Sequence, residues 1–142
     1  MPDRRLNRVL RLAARRGVDV RLVLPRTSNH PVVDLGGRSL YSSFLRSKVN
    51  IYQNPKKGLH AKIAVIDDDW ATIGTLNLDR VSLHYNFEAN IIGTDKAFVD
   101  ELREYCMKQM RASERIDPVT WEKRSGTQEW LEFCVRFIRP FL

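Results

Sequence analysis

The stretch from His60 to Asn77, HAKIAVIDDDWATIGTLN, constrains the fold of this chain more than any other. Two runs, 60–67 and 70–77, are apolar or alternating and rich in β-branched residues, with Asp68-Asp69 between them. That pattern predicts a β-hairpin. With Asp68-Asp69 as a two-residue turn, Asp67 pairs with Trp70, Lys62 faces Thr75 and His60 faces Asn77. Side chains alternate faces along a strand, and directly opposed residues share a face. His60, Lys62, Thr75 and Asn77 therefore converge at the open end of the hairpin. They bring a cation, an amide donor, a hydroxyl and an imidazole that titrates near neutral pH, the equipment of a phosphate site. Asp67 lies roughly 23 Å from His60 along an extended strand and on the other face, so it reads as a structural turn residue. Gly74 marks a place where another backbone approaches closely.

Around this hairpin the pattern is α/β. Residues 4–16 read as an amphipathic helix with Leu6, Val9, Leu10 and Ala13 inward, Asp3 as cap and Gly17 as stop. Its arginines, Arg4, Arg5, Arg8, Arg11 and Arg15, read as a solvated face. A strand over 18–24 becomes fully apolar before Pro25, and the loop Arg26 to His30 follows. His30 reads either as a ligand contact at a strand's C-terminal end or as a solvated turn residue. A second helix is expected over 38–48, with Leu40, Tyr41, Phe44 and Leu45 inward, then short strands over 49–53 and 87–92. Asp95 caps a helix over 96–111 with Phe98, Val99, Leu102, Cys106 and Met110 inward. Asp117-Pro118 starts another, with Pro at its first position. Thr127 begins a last helix carrying Trp130, Leu131, Cys134, Val135 and Ile138. The expected architecture is one α/β domain over 1–142, a mixed β-sheet flanked by helices.

With 142 residues, 43% of them hydrophobic, the chain has enough material for a single packed core. Its net charge of +7 predicts attraction to anions, whether nucleic acid, anionic lipid or phosphorylated substrates. Cys106 and Cys134 read as two buried free thiols, because no ligand cluster surrounds them. No apolar run approaches the length needed to span a bilayer, and the N-terminus is charged rather than signal-like.

The spacing of His60, Lys62, Asp67, Gly74, Thr75 and Asn77 resembles the HKD motif of the phospholipase D superfamily: H-x-K, then D, then G-S or G-G, then x-N. Thr75 stands where Ser is commoner, and its extra methyl predicts some crowding. Asn77-Leu78-Asp79, Ser82, Asn86 and Glu88 are similar to the pattern in bacterial cardiolipin synthases. So are RRGVDVRLVLP, IYQNPKKGLHAK and Arg139-Pro140. The resemblance covers nearly the whole chain but only the C-terminal half of such an enzyme, as if Met1 stood mid-protein.

The resemblance implies a phospholipase D-like half and a phosphatidyltransferase working through a phosphohistidine. His60, Lys62, Asp67 and Glu88 would be catalytic, and Lys62, Thr75 and Asn77 would bind phosphate. Glu88 would hydrogen-bond the catalytic imidazole. No cofactor or metal is implied. The implied substrate is an anionic phospholipid of the phosphatidylglycerol type, met at the cytoplasmic side of a membrane by a peripheral protein. Since one motif is half a site, the second histidine would come from an N-terminal half or a homodimer mate. A homodimeric phosphodiesterase or nuclease acting on nucleic acid, and an inactive half-enzyme, are the alternatives. The last helix, with Phe133, Phe137, Phe141 and Leu142 beside Arg136 and Arg139, has the make-up of a membrane-surface helix, but is expected rather to pack on the domain or on a missing half.

Overall fold

The computed structural model describes residues 3–27, 31–55, 59–126 and 130, without the side chains of 31–33, 80 and 81. His30, Cys134 and the helix expected from Thr127 lie outside the described residues. The chain runs α1 (Arg4–Arg15), β1 (Arg21–Pro25), α2 (Pro31–Arg38), α3 (Tyr41–Leu45), β2 (Asn50–Asn54), β3 (Lys62–Ile66) and β4 (Trp70–Gly74). It continues through α4 (Arg80–His84), β5 (Asn90–Gly93), α5 (Lys96–Arg111), β6 (Glu114–Arg115) and α6 (Pro118–Glu122). This is the expected α/β class.

Among the described residues the strands form two three-stranded sheets rather than one: β1-β2-β6 and β3-β4-β5. The first is mixed. β1 and β2 run parallel, as the helical crossover between them requires, and β6 adds antiparallel through Tyr52 opposite Arg115. The second is an antiparallel meander. Although the ladders are separate, α5 packs against β1, β2, β3 and β4, so one helix backs both sheets. Asn54, fully buried at the end of β2, donates to the main-chain and side-chain oxygens of Gln109 on α5 at 3.4 and 3.3 Å.

Each helix forms where sequence chemistry allows it. The Asp3 carboxylate accepts from the amides of Arg5 and Leu6, capping α1, and Gly17 ends it at a φ of 98°. Asp95 caps α5 in the same way through Ala97 and Phe98. In α6 Asp117 accepts from Thr120 with Pro118 at the first turn. Of the helix expected over 38–48, only α3 (Tyr41–Leu45) forms. Ser39 donates its hydroxyl to Gly36 O at 2.7 Å and Ser43 to Leu40 O at 2.8 Å, and the chain turns between α2 and α3. α2 itself, containing Gly36-Gly37, was not expected, since glycine disfavours helix interiors. The two-residue β6 was not expected either; so short a strand exists only because β2 offers it an edge.

Two cores result. The larger buries Ala14, Val20, Leu40, Tyr41, Phe44, Val49 and Ile51 between α1, α3 and the first sheet. Trp121 of α6 closes it, with its indole N–H on Ser42 Oγ at 3.1 Å and its ring 5.2 Å from Tyr41. The smaller buries Ala71, Val99 and Leu102 between the second sheet and α5. Cys106 is a free, half-buried thiol whose pKa is raised by burial.

Candidate active site

The hairpin forms, but its register differs by one residue from the expected one. Ile66 pairs with Trp70, so Asp67-Asp68-Asp69 is a three-residue turn and Lys62 faces Gly74 rather than Thr75. Asp67 takes the left-handed region at a φ of 49°, which aspartate tolerates better than most residues. Arg103 of α5 clamps this turn, donating to Asp67 O at 2.7 Å and pairing with Asp68 at 2.6 Å. A one-residue slip reverses which side chains share a face. By alternation alone, Thr75 would leave the face of Lys62.

Convergence is restored by the path of the chain after β4. Gly74 pairs with Lys62 on one side and Asn90 on the other. A Cβ at Gly74 would lie 2.2 Å from Ala89 O and 2.3 Å from Asn90 Oδ1. Only glycine permits this approach, as its place in the sequence indicated. The chain then bends at Thr75, whose amide donates to Ala89 O at 3.0 Å while its Oγ1 accepts from the Ala89 amide at 3.0 Å. Asn90 Oδ1 accepts from Leu76 N at 3.2 Å and so holds the bend; the sequence reading did not single Asn90 out. The strand expected over 87–92 begins only at Asn90 because the Ala89 amide is spent on a side chain.

The short helix α4 completes the site. Asp79 accepts from the Ser82 amide at 3.0 Å and starts it. Ser82 is buried, and its hydroxyl accepts from Asn77 Nδ2 at 3.2 Å. Glu88 gathers hydrogen bonds from Thr75, Asn86 and Ser82, the Asn86 bond measuring 3.3 Å. Led by Thr75, these bonds and the nearby charge of Lys62 hold the Glu88 carboxyl below the usual carboxylate value. Lys62 is half-buried; burial lowers its pKa, and the charges of Glu88 and Asp79 oppose that shift. Its Nζ donates to His60 O at 2.8 Å, tying the lysine to the backbone of the exposed histidine.

The structure therefore brings Lys62, Thr75, Asn77 and Glu88 into one connected cluster with Ser82 and Asn86, and joins His60 to it through Lys62. Asp67 sits at the far end of the hairpin. Thr75, Asn86 and Ser82 are the groups that bond the Glu88 carboxylate, with the Lys62 charge nearby. Thr75 is exposed. Among the described residues no group of three or more His, Cys, Asp or Glu could hold a metal ion. None of the helices described is long and apolar enough to cross a membrane.

The fold is that of the phospholipase D family. The solved structure of a phospholipase D family member, Nuc from Salmonella typhimurium, superposes with a TM-score of 0.64 over 82% of this chain and 76% of that one, at 16% identity. The sequence narrows the placement. Residues 1–110 match the model of the cardiolipin synthase, PLD-like domain, and the chain belongs to that family. It is 41% identical to cardiolipin synthase B of Escherichia coli K12 over 99% of its length, and 43% identical to that of Salmonella typhi over 72%. The chain spans 34% and 25% of those relatives' lengths.

Proposed function

We propose that the chain carries one half of a phosphatidyl-transfer site acting on anionic glycerophospholipids, with His60 as its reacting group. The observation that carries this reading is the cluster on one side of His60: a lysine tied to the histidine backbone, a charged Glu88 held by three donors, and Asn77 set by Ser82. Lys62 and the second Nδ2 proton of Asn77 supply positive charge and a donor for phosphate oxygens. Thr75 is a positioning residue that fixes Glu88. Asp67 is a turn residue that sets the hairpin register.

The chemistry needs two histidines. A ring nitrogen of one attacks phosphorus, forming a P–N bond as the P–O bond to the leaving alcohol breaks. The other gives its proton to the leaving oxygen. It then takes the proton of the acceptor hydroxyl, whose oxygen attacks phosphorus and releases the first histidine. In a two-motif protein His60 would be the acid and base; in a homodimer each copy of His60 would take one part. Several apolar side chains support a covering partner. Ile66 and Ile92, on the sheet face away from α5 that also carries Lys62, are 57% and 62% exposed, and nearby Phe87 is fully exposed.

The test is phosphatidyl transfer from phosphatidylglycerol, with nuclease activity on duplex DNA measured in parallel and the size of the protein in solution recorded. Transfer that His60→Ala reduces by at least about a thousandfold supports the reading. DNA cleavage without lipid turnover replaces it with a homodimeric phosphodiesterase. A strict monomer without either activity identifies a half-enzyme.

A further inference from the structure

The arginines of α1 were expected to be a solvated face, and the structure gives them more to do. Arg4, Arg5, Arg8, Arg15 and Arg16 are exposed, and α1 contains no acidic residue. None of its arginines joins a salt bridge among the described residues, although Arg21, Arg26, Arg103 and Arg111 all do. Val9 and Leu12 stand within this basic field, 57% and 43% exposed, while Asn7 and Ala14 hold the opposite side in the protein. The helix is about 18 Å long. Its start is fastened to the candidate site: the Asp3 amide donates to Leu78 O at 2.8 Å, and Leu78 directly follows Asn77.

We propose that the outer face of α1 docks the protein on an anionic lipid bilayer and so delivers the site to its substrate. Unpaired arginines in a row match a negatively charged surface. Val9 and Leu12 decide between lipid and nucleic acid. Against a phosphodiester backbone they would stay in water, whereas at a bilayer they reach the boundary of headgroups and acyl chains. The choice of lipid rests on the phosphatidyl-transfer reading.

The experiment is sedimentation of the 142-residue chain with vesicles, compared with retention on duplex DNA. Mixed phosphatidylglycerol–phosphatidylcholine vesicles are expected to carry the protein down at low salt, and pure phosphatidylcholine vesicles are not. Arg5→Gln/Arg8→Gln/Arg15→Gln should weaken binding to the mixed vesicles by about a hundredfold. Arg46→Gln/Lys108→Gln/Lys123→Gln, which removes equal charge from exposed sites elsewhere, should leave most of it. Circular dichroism of both variants confirms that they fold. Equal loss in the two triple variants, or none in the first, overturns the proposal. So does binding to DNA but not to vesicles. Transfer measured in detergent micelles needs no bilayer, so failed docking there is separable from failed chemistry.

Discussion

Gly74 has no room for a side chain, and its neighbours are backbone and a hydrogen-bonded amide that cannot swing away. Gly74→Ala should therefore destabilise the protein by about 2–3 kcal/mol, read from urea denaturation. Thr75 separates hydroxyl from shape. Thr75→Ser keeps both bonds and should unfold at nearly the same urea concentration. Thr75→Val leaves the Ala89 amide without its acceptor and should cost about 1 kcal/mol. Glu88 gives the pH signature. Its folded pKa is lowered from the ordinary 4.5, so its contribution is fully present above that value and is lost as pH falls through the lowered folded value. Stability measured against pH on the acid side should be flatter in Glu88→Gln than in the parent. An unchanged slope would mean that the carboxylate is not held by Thr75, Asn86 and Ser82.

Among the elements, α5 carries most of the organisation. It supplies Val99 and Leu102 to the smaller core, Gln109 to Asn54 of the first sheet, and Arg103 to the hairpin turn. Asp95→Ala removes its N-cap and should cost about 1 kcal/mol, visible as a drop of a few degrees in Tm. The hairpin shows how far sequence carries at this scale. Its strands, its turn region and its glycine were legible from alternation and residue type. Its register was not, because a left-handed Asp67 makes a three-residue turn compatible with the same letters, and the clamp that selects it comes from Arg103, distant in sequence. The shortening of the helix expected over 38–48 to α3 has a similar cause, since serine hydroxyls bond locally to carbonyls that a continuous helix would use.

At the scale of the whole molecule, the described residues form two cores of unequal size behind two sheets. Hydrogen exchange should be slowest at Ile51 and its neighbours in β2, and faster in β5, an edge strand with Ile91 and Ile92 exposed. Slower exchange in β5 than in β2 would place a cover over the second sheet in the protein as purified. The sequence by itself determined the α/β class, the capped ends of α1, α5 and α6, and most of the residues that cluster with Lys62 and Glu88, because caps, periodicity and motif spacing are local properties of the chain. Only the tertiary structure decided how those residues meet. The register slip takes Thr75 off the face of Lys62, and the bend after Gly74, the buried Ser82 of α4 and the closely packed β5 bring them together again. Those contacts join segments whose geometry is set by packing, which no spacing of letters records.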